Sequence, residues 1–239
     1  MKNKDKLIFA LDVDNLEEVE KWVLTLRDYV GVFKIGKELF TKCGPKAVER
    51  VLSLGSKVFL DLKFHDIPST VAKAGIQAAK LGVSIFNVHA LGGREMMVKA
   101  AEAVKKECMR ADVKPPLIVA VTVLTSLSEN DLKELGIMKD LSDEVIHLAK
   151  LVKDSGLGGV VCSPKEITLI KDKCGNDFKV ITPGIRAKDA LPDDQKRTLT
   201  PSEAISLGAD FIVVGRPIRL APNPVMAAKE ILDEISLAS

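Results

Sequence analysis

The chain has 239 residues, 46% of them hydrophobic and 28% charged, a balance that fits a globular protein with a sizeable core. Its 35 basic and 33 acidic residues leave a net charge of +2, which makes no electrostatic case for nucleic acid or a membrane surface. Eight Phe, one Tyr and one Trp provide little on which bases could stack. The start, "MKNKDKLIFALDVDNLEE", is basic, but its apolar stretch is broken at once by Asp12 and Asp14. Neither a signal peptide nor a membrane span is expected there, and the protein is expected in the cytoplasm. Cys43, Cys108, Cys162 and Cys174 lie far apart with no C-x-x-C pair, so buried thiols are expected rather than a disulfide framework or a zinc site.

In chain order, a first apolar run at residues 7–12 is followed by Leu16, Val19, Val23 and Leu26 at helical spacing. A second strand is expected at 32–36 and a third at 58–63, with a helix carried by Val71, Ala74, Ala78 and Leu81. The fourth strand, 85–90, precedes a helix with Met97, Ala101, Val104 and Cys108 on its apolar face. The fifth, 117–122, is followed by Leu141, Val145, Leu148 and Val152, and strands six and seven are expected at 159–163 and 180–183. The polar stretch "GIRAKDALPDDQKRTLTP", 184–201, reads as a long loop of the kind that serves as a lid. A last strand at 211–215 leads into a helix with Val225, Ala228, Leu232 and Ile235.

Runs such as "LIFAL", "LIVAV" and "FIVV" are near-continuously apolar, as parallel strands covered on their faces should be. Eight strand-then-helix units in a chain of this length predict an α/β fold, a (β/α)₈ TIM barrel forming a single domain over residues 1–239, since such barrels take about 250 residues. An open doubly wound sheet is the alternative, and its dinucleotide-binding form is disfavoured because no G-x-G-x-x-G follows the first strand.

In a barrel, function gathers at the carboxyl ends of the strands. Asp12 ends the first apolar run, Lys34 lies in the second, Asp61 and Lys63 end the third with Asp66 just beyond, and Asn87 and His89 belong to the fourth. Thr122 and Thr125 follow the fifth. Because side chains alternate along a strand, Asp61 and Lys63 are expected on one face. Scattered rim ion pairs would account for any one of these charges. Together, acids and lysines converging from three neighbouring strands need a functional reason, because burying charge is costly and mutual pairing returns little stability. On the other side, "TPGIR" and "VGRPI" each place a glycine at a strand end with an arginine close behind, Arg186 and Arg216. Loops after strands seven and eight of such barrels commonly hold a phosphate on backbone N–H groups and an arginine fork.

With these residues in place the chain resembles the orotidine 5′-phosphate decarboxylase family along nearly its whole length. The segments that carry the resemblance are "FALDVD", "FKIGKELF", "FLDLKFHDIPSTV" with its D-x-K-x-x-D pattern, "FNVHALGG", "AVTVLTS", "ITPGIR" and "VVGRPI". D-x-K-x-x-D alone is shared with phosphosugar decarboxylases and aldolases; the ordered set is far more specific. The resemblance implies conversion of orotidine 5′-phosphate to UMP and CO₂, the last step of UMP synthesis, with no cofactor and no metal. It assigns Asp61, Lys63 and Asp66, joined by Lys34, to the reacting centre, with Lys63 the proton donor. Asp12 and Lys34 would contact the ribose hydroxyls, Thr125 the pyrimidine, Gln195 both base and phosphate, and Gly215 with Arg216 the phosphate. Thr70 and Arg186 would complete the substrate-binding set. In the family the second aspartate of the motif and the isoleucine after it reach a neighbouring subunit's site, so Asp66 and Ile67 imply a homodimer.

The chemistry suits these residues. Loss of CO₂ from C6 of the pyrimidine leaves an electron pair in the ring plane, out of reach of the π system, so fixed electrostatics must stabilise it. A lysine beside C6 can do so and then deliver the proton. Two rivals remain: a magnesium-dependent phosphosugar enzyme built on the same motif, and a barrel that binds nucleotide as a sensor. His89 could support the charged array or be a satisfied core imidazole. His65 is expected at the subunit boundary, His147 on a solvated helix face, and Met96 and Met97 in the core.

Overall fold

The eight apolar runs form β1 (Leu7–Leu11), β2 (Val32–Ile35), β3 (Lys57–Phe64), β4 (Ile85–His89), β5 (Leu117–Val121), β6 (Gly159–Val161), β7 (Lys179–Thr182) and β8 (Phe211–Val214). All neighbouring pairs are parallel, and β1 pairs with both β2 and β8, which closes the barrel. The computed structural model describes residues 2–186 and 198–238. The expected lid stretch, 184–201, and Gln195 within it therefore lie largely or wholly outside the described residues.

Most strands end one or two residues earlier than the apolar runs predict, so Asp12 and Gly215 lie just past the ladder rather than in it. β3 departs the other way and runs on to Phe64. Along each strand side chains alternate between two cores. Ile8, Val32, Phe59, Ile85, Val119 and Ile181 belong to a small cluster that fills the barrel interior. Phe9, Phe33, Leu60, Phe86, Val180 and Val214 face outward into a larger cluster shared with the helices. Helix residues at the predicted spacing complete that outer layer: Val19, Val23 and Leu26 are buried, as are Val71 and Ala78, and Val104 and Cys108.

The helix starts carry their signals. Asn15 accepts a hydrogen bond from the Glu18 N–H at 2.8 Å, capping Leu16–Leu26, and proline opens the helices Pro68–Lys80, Pro201–Ser206 and Pro224–Leu237, where a missing N–H costs nothing. Met96 and Met97 are fully buried, as expected. Cys108, Cys162 and Cys174 are buried free thiols, but Cys43 is only half-buried, because it sits at the end of a short helix where its Sγ reaches the Asp14 carbonyl. No helix among the described residues is long and apolar enough to cross a membrane.

The amino-terminal end of β7 and β8 is tied by a buried charge cluster. Asp210 accepts from Lys171 Nζ at 2.7 Å, Lys179 Nζ at 2.9 Å and the Val180 N–H at 2.9 Å. Lys171 also donates to the Asn176 and Phe178 carbonyls, and its side chain is only 9% exposed. Asp210→Ala leaves that ammonium without its carboxylate, and removing one partner of a buried pair typically costs about 3–5 kcal/mol. Urea denaturation should show a loss near the lower end of that range, since the two carbonyls remain; a change within experimental scatter would show that the cluster contributes no stability.

Candidate active site

Four charged side chains meet at the carboxyl end of β1, β2 and β3, alternating in sign. Lys34 Nζ lies 3.6 Å from Asp12 Oδ1 and 3.5 Å from Asp61 Oδ2, and Lys63 Nζ donates to Asp61 Oδ1 at 2.6 Å. Lys34 and Asp61 are largely withdrawn from solvent, at 13% and 14% side-chain exposure. Val32 and Phe59 point into the barrel interior, so the period of two carries Lys34 and Asp61 to the same lumen one step higher. The strand thus passes from an apolar plug to a charged floor.

Alternation alone does not place Lys63. The β3–β4 register runs Leu60↔Phe86 and then Phe64↔Val88, so β3 carries two residues more than its partner across this stretch. Within this bulge Lys63 adopts φ +54°, a left-handed conformation uncommon outside glycine. Bulges of this kind re-aim a side chain. The expectation that Asp61 and Lys63 share a face is met, but through a backbone irregularity and not through strand pleat.

The bulge is held by a residue to which the sequence reading assigned no role. Asn87, fully buried on β4, donates from Nδ2 to Asp61 Oδ1 at 2.7 Å and accepts the Lys63 N–H on Oδ1 at 2.8 Å. It replaces ladder bonds that the bulge forfeits and fixes both members of the acid–lysine pair. Its inward position on β4 was readable; its partners depended on the bulge.

Above this floor lies a cavity of about 170 Å³ whose other wall is apolar, formed by Val121, Val123, Leu124, Val161 and Val213, with half-buried Thr125 among them. A larger concavity, about 600 Å³, opens at the opposite end of the barrel beside Asp5, Lys57 and Lys114. It lies at the strand starts, away from the loops in which such barrels place their chemistry.

Gly215 and Arg216 follow β8 at the start of the short helix Arg216–Arg219. A side chain at Gly215 would meet Ala10 Cβ at 3.2 Å and Asp12 Oδ2 at 3.3 Å, so this turn packs closely against β1 and the charged floor, and a larger residue would have to push those neighbours back by a few tenths of an ångström. Beyond β7, Gly184 takes φ +81°. The Arg186 N–H donates to the Leu199 carbonyl at 3.0 Å, and the Leu199 N–H to the Gly184 carbonyl at 3.3 Å, drawing the two ends of the 184–201 stretch together.

Asp66, Ile67 and Thr70 lie apart from the floor. All three are exposed, Ile67 to 64%. Asp66 Oδ1 accepts the Ile67 N–H at 2.6 Å, and among the described residues no ion pair joins it to Lys63. His89 accepts the Leu91 N–H on Nδ1 at 3.4 Å and stacks on His65, ring centroids 5.4 Å apart; its hydrogen bond goes to the backbone rather than to the charged array. His147 is exposed, as expected. Among the described residues no cluster of three or more His, Cys, Asp or Glu is placed to hold a metal ion.

Comparison with known proteins gives a family model described as the orotidine 5′-phosphate decarboxylase / HUMPS family, matched over residues 5–231. An orotidine 5′-phosphate decarboxylase of Syntrophotalea carbinolica is 54% identical, the alignment covering 98% of this chain and 96% of that protein. The enzyme of the same name from Geobacter metallireducens is 52% identical over 97% and 96% of the two chains. A crystal structure of orotidine 5′-phosphate decarboxylase from Lactobacillus acidophilus superimposes with a TM-score of 0.85 at 39% identity, covering 96% of this chain and 98% of that one.

Burial, with the charges of His65, Lys63 and Lys37 around it, pushes the His89 imidazole down from 6.5 to about 4. In the unfolded chain it keeps its ordinary value, so between those limits the unfolded state binds more protons. The stability associated with neutral His89 is complete above pH 6.5 and is lost as pH falls towards about 4. In urea titrations His89→Asn should lose less stability than the wild type over that interval. Parallel pH profiles for the two proteins would mean that His89 titrates normally in the folded chain.

Proposed function

The chain belongs to the orotidine 5′-phosphate decarboxylase / HUMPS family, and from that premise we propose that it converts orotidine 5′-phosphate to UMP and CO₂, closing pyrimidine nucleotide synthesis as a cytoplasmic single-domain enzyme. The observation that carries this reading is the alternating array Asp12, Lys34, Asp61, Lys63 beneath a pocket with one apolar wall. Relatives more than half identical over nearly the whole chain bear the decarboxylase name, which favours that half of the family description.

In the proposed reaction the bond from C6 to the substrate carboxylate breaks, CO₂ leaves, and the electron pair stays on C6. The Lys63 ammonium lies against that carbon and lowers the energy of the developing charge. Its proton then moves from Nζ to C6, completing UMP, and the neutral amine is reprotonated from solvent. Asp61 and Asn87 hold Lys63 in place beforehand, so little reorganisation is left for the moment of reaction. Lys63 supplies the positive charge that a metal or an organic electron sink would otherwise bring.

Asp12 and Lys34 bind the ribose hydroxyls in this reading, and Thr125 reads the pyrimidine. The Gly215 amide and Arg216 take the phosphate, with Arg186 and Thr70 nearby and Gln195 bridging base and phosphate. Binding energy from the phosphate is spent on closing and drying the reacting centre. Asp66 and Ile67 act across a homodimer, reaching the partner's site; their exposure, and the separation of Asp66 from Lys63 within one chain, support this.

The loss of orotidine 5′-phosphate absorbance on incubation with the purified chain tests the reaction directly, and no turnover would sink it. Turnover that disappears on chelation would favour a magnesium-dependent phosphosugar enzyme instead. Lys63→Ala should lower kcat by about a thousandfold or more while UMP still binds, as loss of a group acting mainly in the transition state does. Robust UMP production by that variant would refute the donor role. Arg216→Ala should lower kcat/KM by about a hundredfold with little change in the unfolding midpoint; unchanged kinetics would remove Arg216 from the phosphate grip.

A further inference from the structure

The two residues on β4 that point at the bulge are Asn87 and His89, one pleat apart. Asn87 holds the first half of the irregular segment through Asp61 and the Lys63 N–H. Beyond Phe64, where the ladder ends, the chain must still carry Asp66 in a set direction, and the ladder offers nothing further to hold it. There the rings of His65 and His89 lie nearly parallel, 20° apart, at 5.4 Å. His89 is itself fixed, because its Nδ1 accepts the Leu91 N–H. His65 in turn packs on the turn at Gly92, where an added Cβ would meet its Cδ2 at 3.3 Å.

We infer that His65 and His89 form one positioning unit, the stack that continues the work of Asn87 past the end of β3 and sets the direction in which residues 63–66 present Lys63 and Asp66. Neither ring lines the pocket above the charged floor, so both are positioning residues. The inference rests on the proposed decarboxylation for what Asp66 does, but not for the stack itself. A neutral His89 suits the arrangement, since it is buried and faces His65 from just past β3, Lys63 from the bulge and Lys37 from the helix Lys37–Cys43, and all of these disfavour a further cation there.

The test compares His65→Ala with His65→Phe, which keeps a ring for the stack but no titratable nitrogen. His65 is exposed, so neither substitution threatens the core. His65→Ala should lower kcat on orotidine 5′-phosphate by about tenfold or more with KM within about threefold, because a small misplacement at the reacting centre is expensive while the phosphate grip is untouched. His65→Phe should bring kcat back to within about threefold of wild type. A His65→Ala kcat equal to wild type, or equal losses in both variants, would overturn the inference. Imidazole NMR gives a readout independent of turnover, since the chain has only three histidines. In His65→Ala the His89 midpoint should rise from about 4 towards 6.5; an unmoved midpoint would show the rings to be uncoupled. Should the wild-type chain fail to turn over orotidine 5′-phosphate, the proposed reaction falls, and the NMR result alone judges the stack.

Discussion

The charged floor depends on one carboxylate. Asp61 is largely removed from water, and it satisfies that burial by accepting from Lys63 Nζ and Asn87 Nδ2 on one oxygen while its other oxygen faces Lys34. A buried carboxylate with fewer partners would be strongly destabilising, and a buried pair returns little net stability even when well made. The arrangement therefore makes sense as an electrostatic instrument that the rest of the barrel is stable enough to carry. Each partner comes from a different place: Lys34 from β2, Asn87 from β4, and Lys63 from the bulge within β3.

The two faces of the pocket divide the chemistry. On the β1–β3 side, opposite charges lie 2.6–3.6 Å apart. On the β5, β6 and β8 side, Val121, Val161 and Val213 offer no polar group. An apolar wall lowers the local dielectric and strengthens every interaction of the facing array. Glycine at 215 brings the β8 turn against Ala10 and Asp12, so the start of the short helix at Arg216 lies next to the Asp12 end of the array rather than across the barrel from it.

The bulge in β3 is the device that reconciles the fold with the site. A regular strand would have kept its ladder bonds and left the third-strand lysine wherever the pleat put it. The irregular segment gives up those bonds, and β4 supplies side chains in their place, Asn87 first and the ring of His89 beyond it. At the other end of the barrel Asp210 and Lys171 show the ordinary alternative: charges buried and saturated with partners.

Much of this was legible in the amino-acid order. Eight apolar runs separated by helical spacing were enough to specify a parallel barrel, because a strand covered on both faces and a helix covered on one leave distinct periodic marks. Ordered motifs likewise named Asp12, Lys34, Asp61 and Lys63, which the fold brings together at the strand ends. The bulge, the φ of +54° at Lys63, the service of Asn87 and the His65–His89 stack were decided only in three dimensions. Each arises from pairing between strands, and nothing in the local sequence states how many residues of one strand will face how many of the next. Asp66 marks the same boundary from the other side: its place in the motif is plain in the sequence, yet within one folded chain it stands exposed and apart from Lys63, because the distance between two residues is a property of packing and not of spacing.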